Sequence, residues 1–203
     1  AIQSREKNDS GEHVDISMLD TQVSLLTYMA TMHFLSGENP EPIGNQHMNH
    51  VPFNSYRTLD GFIQIGVVAE DFWPSLIEAL DLRQLDTEEN KVRIGRLKNR
   101  ENIDEALQEV FITNTTEHWL KILQEHRVPC GPINTLSETF EDADLLKRNM
   151  IVEVLQDSGT SVKMPGNPVK ISNHDEEFRR SPKLGEHTAE IFKNWLNKDI
   201  SID

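Results

Sequence analysis

Apolar positions along this chain switch repeatedly between a period of two and a period near 3.6. In "HVDISML", Val14, Ile16 and Met18 alternate with Asp15 and Ser17, which predicts a strand. Asp20 then stands as the N-cap of a helix through Val23, Leu26, Met29, Ala30, His33 and Phe34. "FIQIGVV" (62–68) alternates again, and "EDFWPSLIEALD" predicts a helix that begins near Pro74 and turns Phe72, Leu76, Ile77 and Leu80 inward. A helix over about 99–112 follows, through Ile103, Ala106, Leu107, Val110 and Phe111. Another opens with the capping-box pattern "NTTE" (114–117) and buries Trp119, Leu120 and Leu123. "TLSE" (135–138) is a second capping-box pattern, heading a helix with Phe140, Ala143 and Leu146. "IVEVLQ", a "DSG" turn and "SVKM" predict a hairpin, and "PGNPVKIS" a further extended piece. Ile191, Phe192, Trp195 and Leu196 mark a closing helix. Strands feeding into helices are an α/β habit, and α/β is the expected fold class.

Two stretches break the periodicity. Residues 36–61 hold three prolines, three glycines and four asparagines, with no apolar repeat; this reads as a long functional connection. In "VPCGPIN" (128–134), Pro129 and Pro132 remove two backbone donors and hold the chain out of helical conformation. That predicts a rigid extended bridge between two helices.

The 203 residues are 36% hydrophobic and 27% charged, an ordinary globular composition. A formal charge of −14 opposes general nucleic-acid binding, because a polyanion is repelled. No apolar run comes near the roughly 20 residues of a membrane span. A lone cysteine forms no internal disulfide, and the chain reads as cytoplasmic. "AIQSREKNDSG" at the start reads as the last turns of a helix whose beginning is missing, so a piece of a larger protein is expected.

Candidate chemistry is sparse. Cys130 as a nucleophile needs a base or cation nearby; His126 lies across a helix end, and a buried structural thiol is the simpler reading. His47 and His50 have a spacing that metals use, but no further ligands complete a site, so no metal is expected. "KVRIGRLKNR" (91–100) has five basic residues and no acid. It reads as a solvated helix-and-turn face or a contact with another chain rather than as a phosphate site. No glycine-rich phosphate loop and no nucleophile-elbow serine occurs.

Seven blocks, in order, carry a resemblance: "GEHVDISMLD", "VPFNSYRTLDGFIQIG", "DFWPSLIEAL", "RVPCGPINTLSE", "LLKRNMIVEV", "MPGNPVKIS" and "SPKLGEHTAEI". Together they resemble the class III CoA-transferases, a family that includes formyl-CoA transferase, carnitine CoA-transferase and α-methylacyl-CoA racemase. The resemblance implies a fragment of a two-domain fold: residues 1–36 end the N-terminal part of a Rossmann-like large domain, and 37–60 connect. Residues 61–150 then form the small α/β domain, and 151–203 return to the large one. "VPCGPIN" is then the structural bridge near the end of the small domain. It also implies an interlocked dimer and transfer of coenzyme A from an acyl-CoA to a carboxylic acid through an aspartyl intermediate. The CoA thioester is a substrate, and no cofactor is held permanently.

"GNQH" (Gly44, Asn45, Gln46, His47) resembles the family's substrate-covering loop, with Met48 where a proline usually follows. The resemblance places the catalytic aspartate upstream of this chain. Asp15 and Asp20 match strand and helix-cap positions instead, so the chain by itself is expected to be inactive. Implied partners are the acyl-CoA and carboxylic acid substrates, with a second copy or an N-terminal half, and neither nucleic acid nor membrane. A racemase, or a chain that only associates, are the alternatives; racemases carry a glutamate where Ala69 stands, with Glu70 one residue later.

Overall fold

The computed structural model describes residues 1–198, in two compact units, one over Ala1–Gly131 and one from Pro132 onward. In the first unit, β1 (Phe53–Arg57) and β2 (Phe62–Gly66) pair antiparallel, with Tyr56 opposite Ile63 and Asn54 opposite Ile65. The period of two sends Tyr56, Ile63 and Ile65 to the buried face. The turn between the strands is tied down by Asp60, whose Oδ1 accepts from the Thr116 N–H at 2.8 Å and the Thr116 hydroxyl at 3.0 Å. β3 (Cys130–Pro132) completes a sheet of order β1-β2-β3. The expected bridge is therefore a strand.

Three amphipathic helices close over this sheet: α4 (Phe72–Leu80), α6 (Arg100–Phe111) and α7 (Thr116–Glu125). A short α5 (Arg93–Lys98) precedes α6. They deliver Trp73, Leu76, Ile77, Leu80, Ile103, Leu107, Phe111, Trp119 and Leu123 to one core with Tyr56, Ile63 and Ile65. Trp119 meets Phe111 edge-on, with centroids 5.6 Å apart, and its indole N–H donates to the Phe111 carbonyl at 2.8 Å. The sequence pattern named most of this core but missed Trp73, only 1% exposed.

Several local expectations are corrected. "HVDISML" is not a strand: residues 11–17 are irregular, and no described strand pairs with them. An alternating pattern becomes a strand only when a neighbour takes its backbone groups. The helix there, α2 (Met18–Ser24), is capped by Ser17, whose hydroxyl accepts from the Asp20 N–H at 3.3 Å; Asp20 lies inside the first turn. The expected long helix is two, since the chain turns before α3 (Thr27–Ser36) and Thr27 takes φ 44°. At α7 the cap is Thr115, one residue after Asn114, and the third helical position is His118, so the predicted box does not form. The connection read over 36–61 also hides β1, because Asn and Arg mask its alternation.

At the start, α1 (Ile2–Asn8) ends at Asp9 in the left-handed region. In the second unit, α8 (Leu136–Glu141) carries the predicted Thr135–Glu138 capping box. Asp142 then caps a separate α9 (Ala143–Lys147), accepting at 2.8 and 3.0 Å from the Asp144 and Leu145 N–H groups. The predicted hairpin is β4 (Ile151–Leu155) with β5 (Ser161–Pro165), in the register Ile151 to Pro165, and it buries Val152 and Val154. α10 (Thr188–Leu196) is the predicted closing helix.

Gly95 marks the tightest approach near α5. A Cβ there would lie 1.8 Å from the Glu89 carbonyl oxygen, so an alanine forces the backbone apart. We expect Gly95→Ala to destabilise the chain by about 2–3 kcal/mol, read as a lower urea midpoint; an unchanged midpoint would mean that α5 shifts without cost.

Candidate functional site

The resemblance directs attention to residues 44–52, which run irregularly into β1. Gly44 takes φ +62°, the left-handed region that a side chain disfavours, and turns the chain there. Among the described residues, the backbone N–H groups of Gly44 and Asn45 meet no acceptor. The Asn45 amide donates to the Ser55 hydroxyl at 3.0 Å on β1. Gln46 spends both ends of its side chain on α6: its NH2 donates to Asp104 Oδ2 at 2.9 Å, and its carbonyl oxygen accepts from Arg100 Nη1 at 3.3 Å.

The His47 N–H closes onto the Phe53 carbonyl at 3.1 Å, and its Nδ1 accepts from the Asn49 N–H at 3.0 Å. Its ring stands between Tyr28, Phe53 and His50, with the His50 centroid 4.7 Å away. Burial, then the charges of His47, Arg93 and Arg96, lower the His50 pKa against an opposing Glu70, which favours a neutral imidazole.

Two arginines missed by the sequence reading hold this loop from behind. Arg96 is 1% exposed. Its Nε donates to the Val51 carbonyl at 2.8 Å, and its Nη1 to the Asn90 and Lys91 carbonyls at 3.0 and 3.2 Å. Its Nη2 donates to Glu70 Oε2 at 2.7 Å. The guanidinium also lies 5.3 Å from the centre of the Trp73 ring. Arg100 Nη2 takes the His47 and Met48 carbonyls at 2.8 and 3.3 Å, and Arg93 Nη1 takes Asn49 at 3.1 Å. The basic run 91–100 is therefore not simply a solvated face. Lys91, Arg93 and Lys98 are exposed, while Arg96 and Arg100 turn inward to satisfy loop carbonyls that would otherwise be buried without donors. The i, i+4 spacing of Arg100 and Asp104 was the available signal.

Asp104 anchors the arrangement. It accepts a hydrogen bond from the Tyr56 hydroxyl as well as the Gln46 bond. Burial pushes its carboxyl upward, against the lowering effect of Tyr56 and Arg100. Burial, with the adjacent Asp104 charge, raises the Tyr56 phenol far enough to keep it a donor. A cavity of about 450 Å³ beside them is lined by Asn54, Ser55, Tyr56, Asp104, Glu105 and Gln108, among others.

The remaining candidates separate from this loop. Cys130 is half-buried and packs against the core, and burial alone raises its thiol pKa; this suits the structural reading. His47 and His50 do stand together. Among the described residues, however, no group of three or more His, Cys, Asp or Glu side chains converges as a metal site would need. Asp20 lies on exposed α2 and Asp15 in the exposed segment before it. No described helix is long and apolar enough to cross a membrane.

Comparison with known proteins agrees with the blocks quoted above. The family model described as CoA-transferase family III matches residues 1–188. The human succinyl-CoA:glutarate CoA-transferase is 29% identical over 195 residues, covering 95% of this chain and 44% of that protein. The acetyl-CoA:oxalate CoA-transferase of Acetobacter aceti is 30% identical over 198 residues, covering 96% and 50%. A CAIB/BAIF family protein from Brucella suis superposes with a TM-score of 0.74 at 28% identity, over 94% of this chain and 50% of that one. The chain thus spans about half the length of the relatives it matches.

Arg96 gives the sharpest test of the clamp. Arg96→Met keeps an apolar stem but strands three carbonyls and Glu70; we expect a loss of roughly 2–3 kcal/mol by chemical denaturation. Glu70 adds a pH signature. Burial raises its pKa, but the Arg96 and Arg93 bonds and charges outweigh that and lower it from the ordinary 4.5. A lowered carboxyl contributes stability that is present above the unfolded value and lost as pH falls through the folded one. Asp104, raised, has the opposite sign: its contribution is present below the ordinary 3.8 and lost as pH rises through its folded value. Glu70→Gln should therefore flatten the fall of the thermal midpoint as pH drops below the ordinary 4.5; an unaltered acid limb would count against the Glu70–Arg96 pair.

Proposed function

This chain belongs to CoA-transferase family III, and on that premise we propose that it is part of an enzyme that moves coenzyme A from an acyl-CoA to a carboxylic acid. The observation that carries the reading is the clamped loop 44–50, whose Gly44 and Asn45 N–H groups have no partner within the described chain. In the proposed reaction an aspartate carboxylate attacks the thioester carbonyl, the C–S bond breaks, and the thiolate leaves an acyl–aspartyl anhydride. The thiolate then attacks the aspartyl carbonyl, releasing the donor acid and forming an aspartyl-CoA thioester. An acceptor carboxylate then attacks the aspartyl-CoA carbonyl and expels the thiolate, giving a second mixed anhydride; the thiolate attacks the acceptor's carbonyl, forming the new CoA ester and freeing the aspartate carboxylate. Each step builds charge on a carbonyl oxygen, which backbone N–H groups on a fixed loop stabilise without reorganising. Gly44, Asn45, Gln46 and His47 are accordingly proposed as the substrate-covering segment, with Gln46 acting inward.

The aspartate is proposed to lie outside this chain, since Asp15 and Asp20 match family positions with no catalytic role; alone, the chain is proposed to be inactive. The domain reading stands as a proposal: 1–36 in the large domain, 37–60 connecting, 61–150 the small domain and 151–203 returning. So do the interlocked homodimer, or assembly with an N-terminal half, and a cytoplasmic setting. Exposed Met18, Leu19, Phe34 and Leu35 on α2 and α3 support association, since such apolar surface usually meets a partner. Glu70, the residue nearest a racemase glutamate, is bound by Arg96 and by the Arg93 N–H at 3.0 Å, which supports transfer over racemisation. The names of the similar proteins suggest short dicarboxylic acids as acceptors.

The test uses the complete protein, this chain joined to its N-terminal part, with succinyl-CoA or acetyl-CoA as donor and glutarate or oxalate as acceptor. A new CoA ester is expected from the complete protein and none from this chain alone. Hydroxylamine should trap an adduct on an aspartate outside residues 1–203. An adduct on Asp15 or Asp20 would overturn the proposal, as would deuterium exchange at the alpha carbon of a 2-methylacyl-CoA without any acceptor.

A further inference from the structure

We propose that Arg100 and Asp104 are positioning residues that set the conformation of loop 44–50 by gripping the two ends of the Gln46 side-chain amide from one face of α6. The two residues are i and i+4 on one helix, so their side chains stand one turn apart on the same face. Between them sits one amide, its oxygen 3.3 Å from the Arg100 guanidinium and its nitrogen 2.9 Å from the Asp104 carboxylate.

The charges dictate which way that amide points. Rotated by half a turn, it would set N–H against N–H at Arg100 and oxygen against oxygen at Asp104. A helix face carrying a cation and an anion at this spacing therefore reads one residue type in one orientation. Glutamate would suit Arg100 and repel Asp104. A hydrocarbon would leave both charged groups without the bridge.

The grip extends in both directions from Gln46. Arg100 also holds the carbonyls of His47 and Met48, so three successive loop residues are registered by one guanidinium. A planar fork with several donors does this, and a lysine ammonium does not reproduce that geometry. Asp104 is itself oriented by the Tyr56 hydroxyl, and Tyr56 is 2% exposed and packed on Phe111. The loop is thereby coupled to the core rather than to a mobile surface side chain. Gly44 and Asn45, with their free N–H groups, lie immediately before Gln46, so any rotation of Gln46 re-aims them. Both polar ends of Gln46 are engaged by α6, which gives this side chain the work of alignment.

For its catalytic consequence this inference rests on the transferase reading above; its structural content is tested on the chain itself. Residue-resolved amide hydrogen exchange is measured for Gln46→Ala, Gln46→Glu, Asp104→Asn, Arg100→Lys and the pair Gln46→Glu with Asp104→Asn. The single variants should exchange at the His47 and Asn49 amides about tenfold faster, with the β2 amides of Ile63 and Ile65 unchanged. The double variant should recover most of the protection, because the new amide on α6 donates to the new carboxylate on the loop. A residue that merely stabilises the fold would speed exchange throughout and show no such rescue.

In the complete protein, the same variants should lower kcat by about tenfold or more with a smaller change in KM for the CoA ester, and the double variant should restore it. A complete protein without transferase activity would overturn the functional reading and leave the exchange cycle standing. Unchanged His47 and Asn49 protection in the two Gln46 single variants, or absence of rescue, would overturn the positioning role. Absence of rescue counts only where Asp104→Asn folds; if it does not, the two Gln46 single variants decide the matter alone.

Discussion

The guanidinium of Arg96 is the interaction on which the rest of the first unit depends. It is buried, and its donors are spread over the Val51, Asn90 and Lys91 carbonyls and the Glu70 carboxylate, which belong to segments far apart in the sequence. A guanidinium remains charged at any ordinary pH, so burial is tolerable only when nearly every N–H finds an acceptor. The acceptors, in turn, are mostly backbone carbonyls of irregular segments, which need donors once the helices close over them. Each side of the arrangement supplies what the other lacks. Gly95 lets α5 approach the Glu89 carbonyl closely and brings the adjacent Arg96 to its place.

From this centre the order passes outward in a chain of polar contacts. Arg93, from the same short helix as Arg96, holds Asn49; Arg100, at the start of α6, holds Gln46, His47 and Met48; Asp104 joins that group to Tyr56 and the core. A loop with three prolines nearby and no apolar repeat has little hydrophobic burial of its own to fix it. Its conformation is imposed by charge-assisted hydrogen bonds, which are directional where apolar contacts are not. Such a loop suits a reaction whose intermediates must be met by donors already in position. It also explains how a chain of net charge −14 concentrates basic residues in one run: much of that positive charge is committed to backbone oxygens and is not displayed for a polyanion.

The same electrostatics sort the candidate chemical groups. Glu70 is held down as a carboxylate by its arginine neighbours, Asp104 is pushed toward its acid form by burial, and Cys130 is pushed away from the thiolate. Glu70 and Asp104 both spend their carboxyl oxygens on neighbours in the loop's support, Glu70 on Arg96 and Arg93 and Asp104 on Gln46 and Tyr56. Within the first unit the charged groups near the loop hold backbone and one another.

The sequence by itself determined the elements whose signals are local. The Thr135–Glu138 box, the β4–β5 hairpin, the α4 and α6 core faces and the extended proline segment at 128–134 all follow from backbone restriction or side-chain period, which act within a few residues. Colinear sequence blocks likewise carried the family resemblance, because they preserve order and spacing through the whole chain. What needed the tertiary structure was anything decided by a partner distant in sequence. The alternation at Val14, Ile16 and Met18 looks like a strand, yet a strand exists only where another strand accepts its hydrogen bonds. Asn54 and Arg57 hid β1 until Ile63 and Ile65 were set across from it. Arg96 and Arg100 looked like ordinary surface charge, since the carbonyls that draw them inward lie about 50 residues earlier, and sequence pattern carries no record of where a backbone oxygen will be buried.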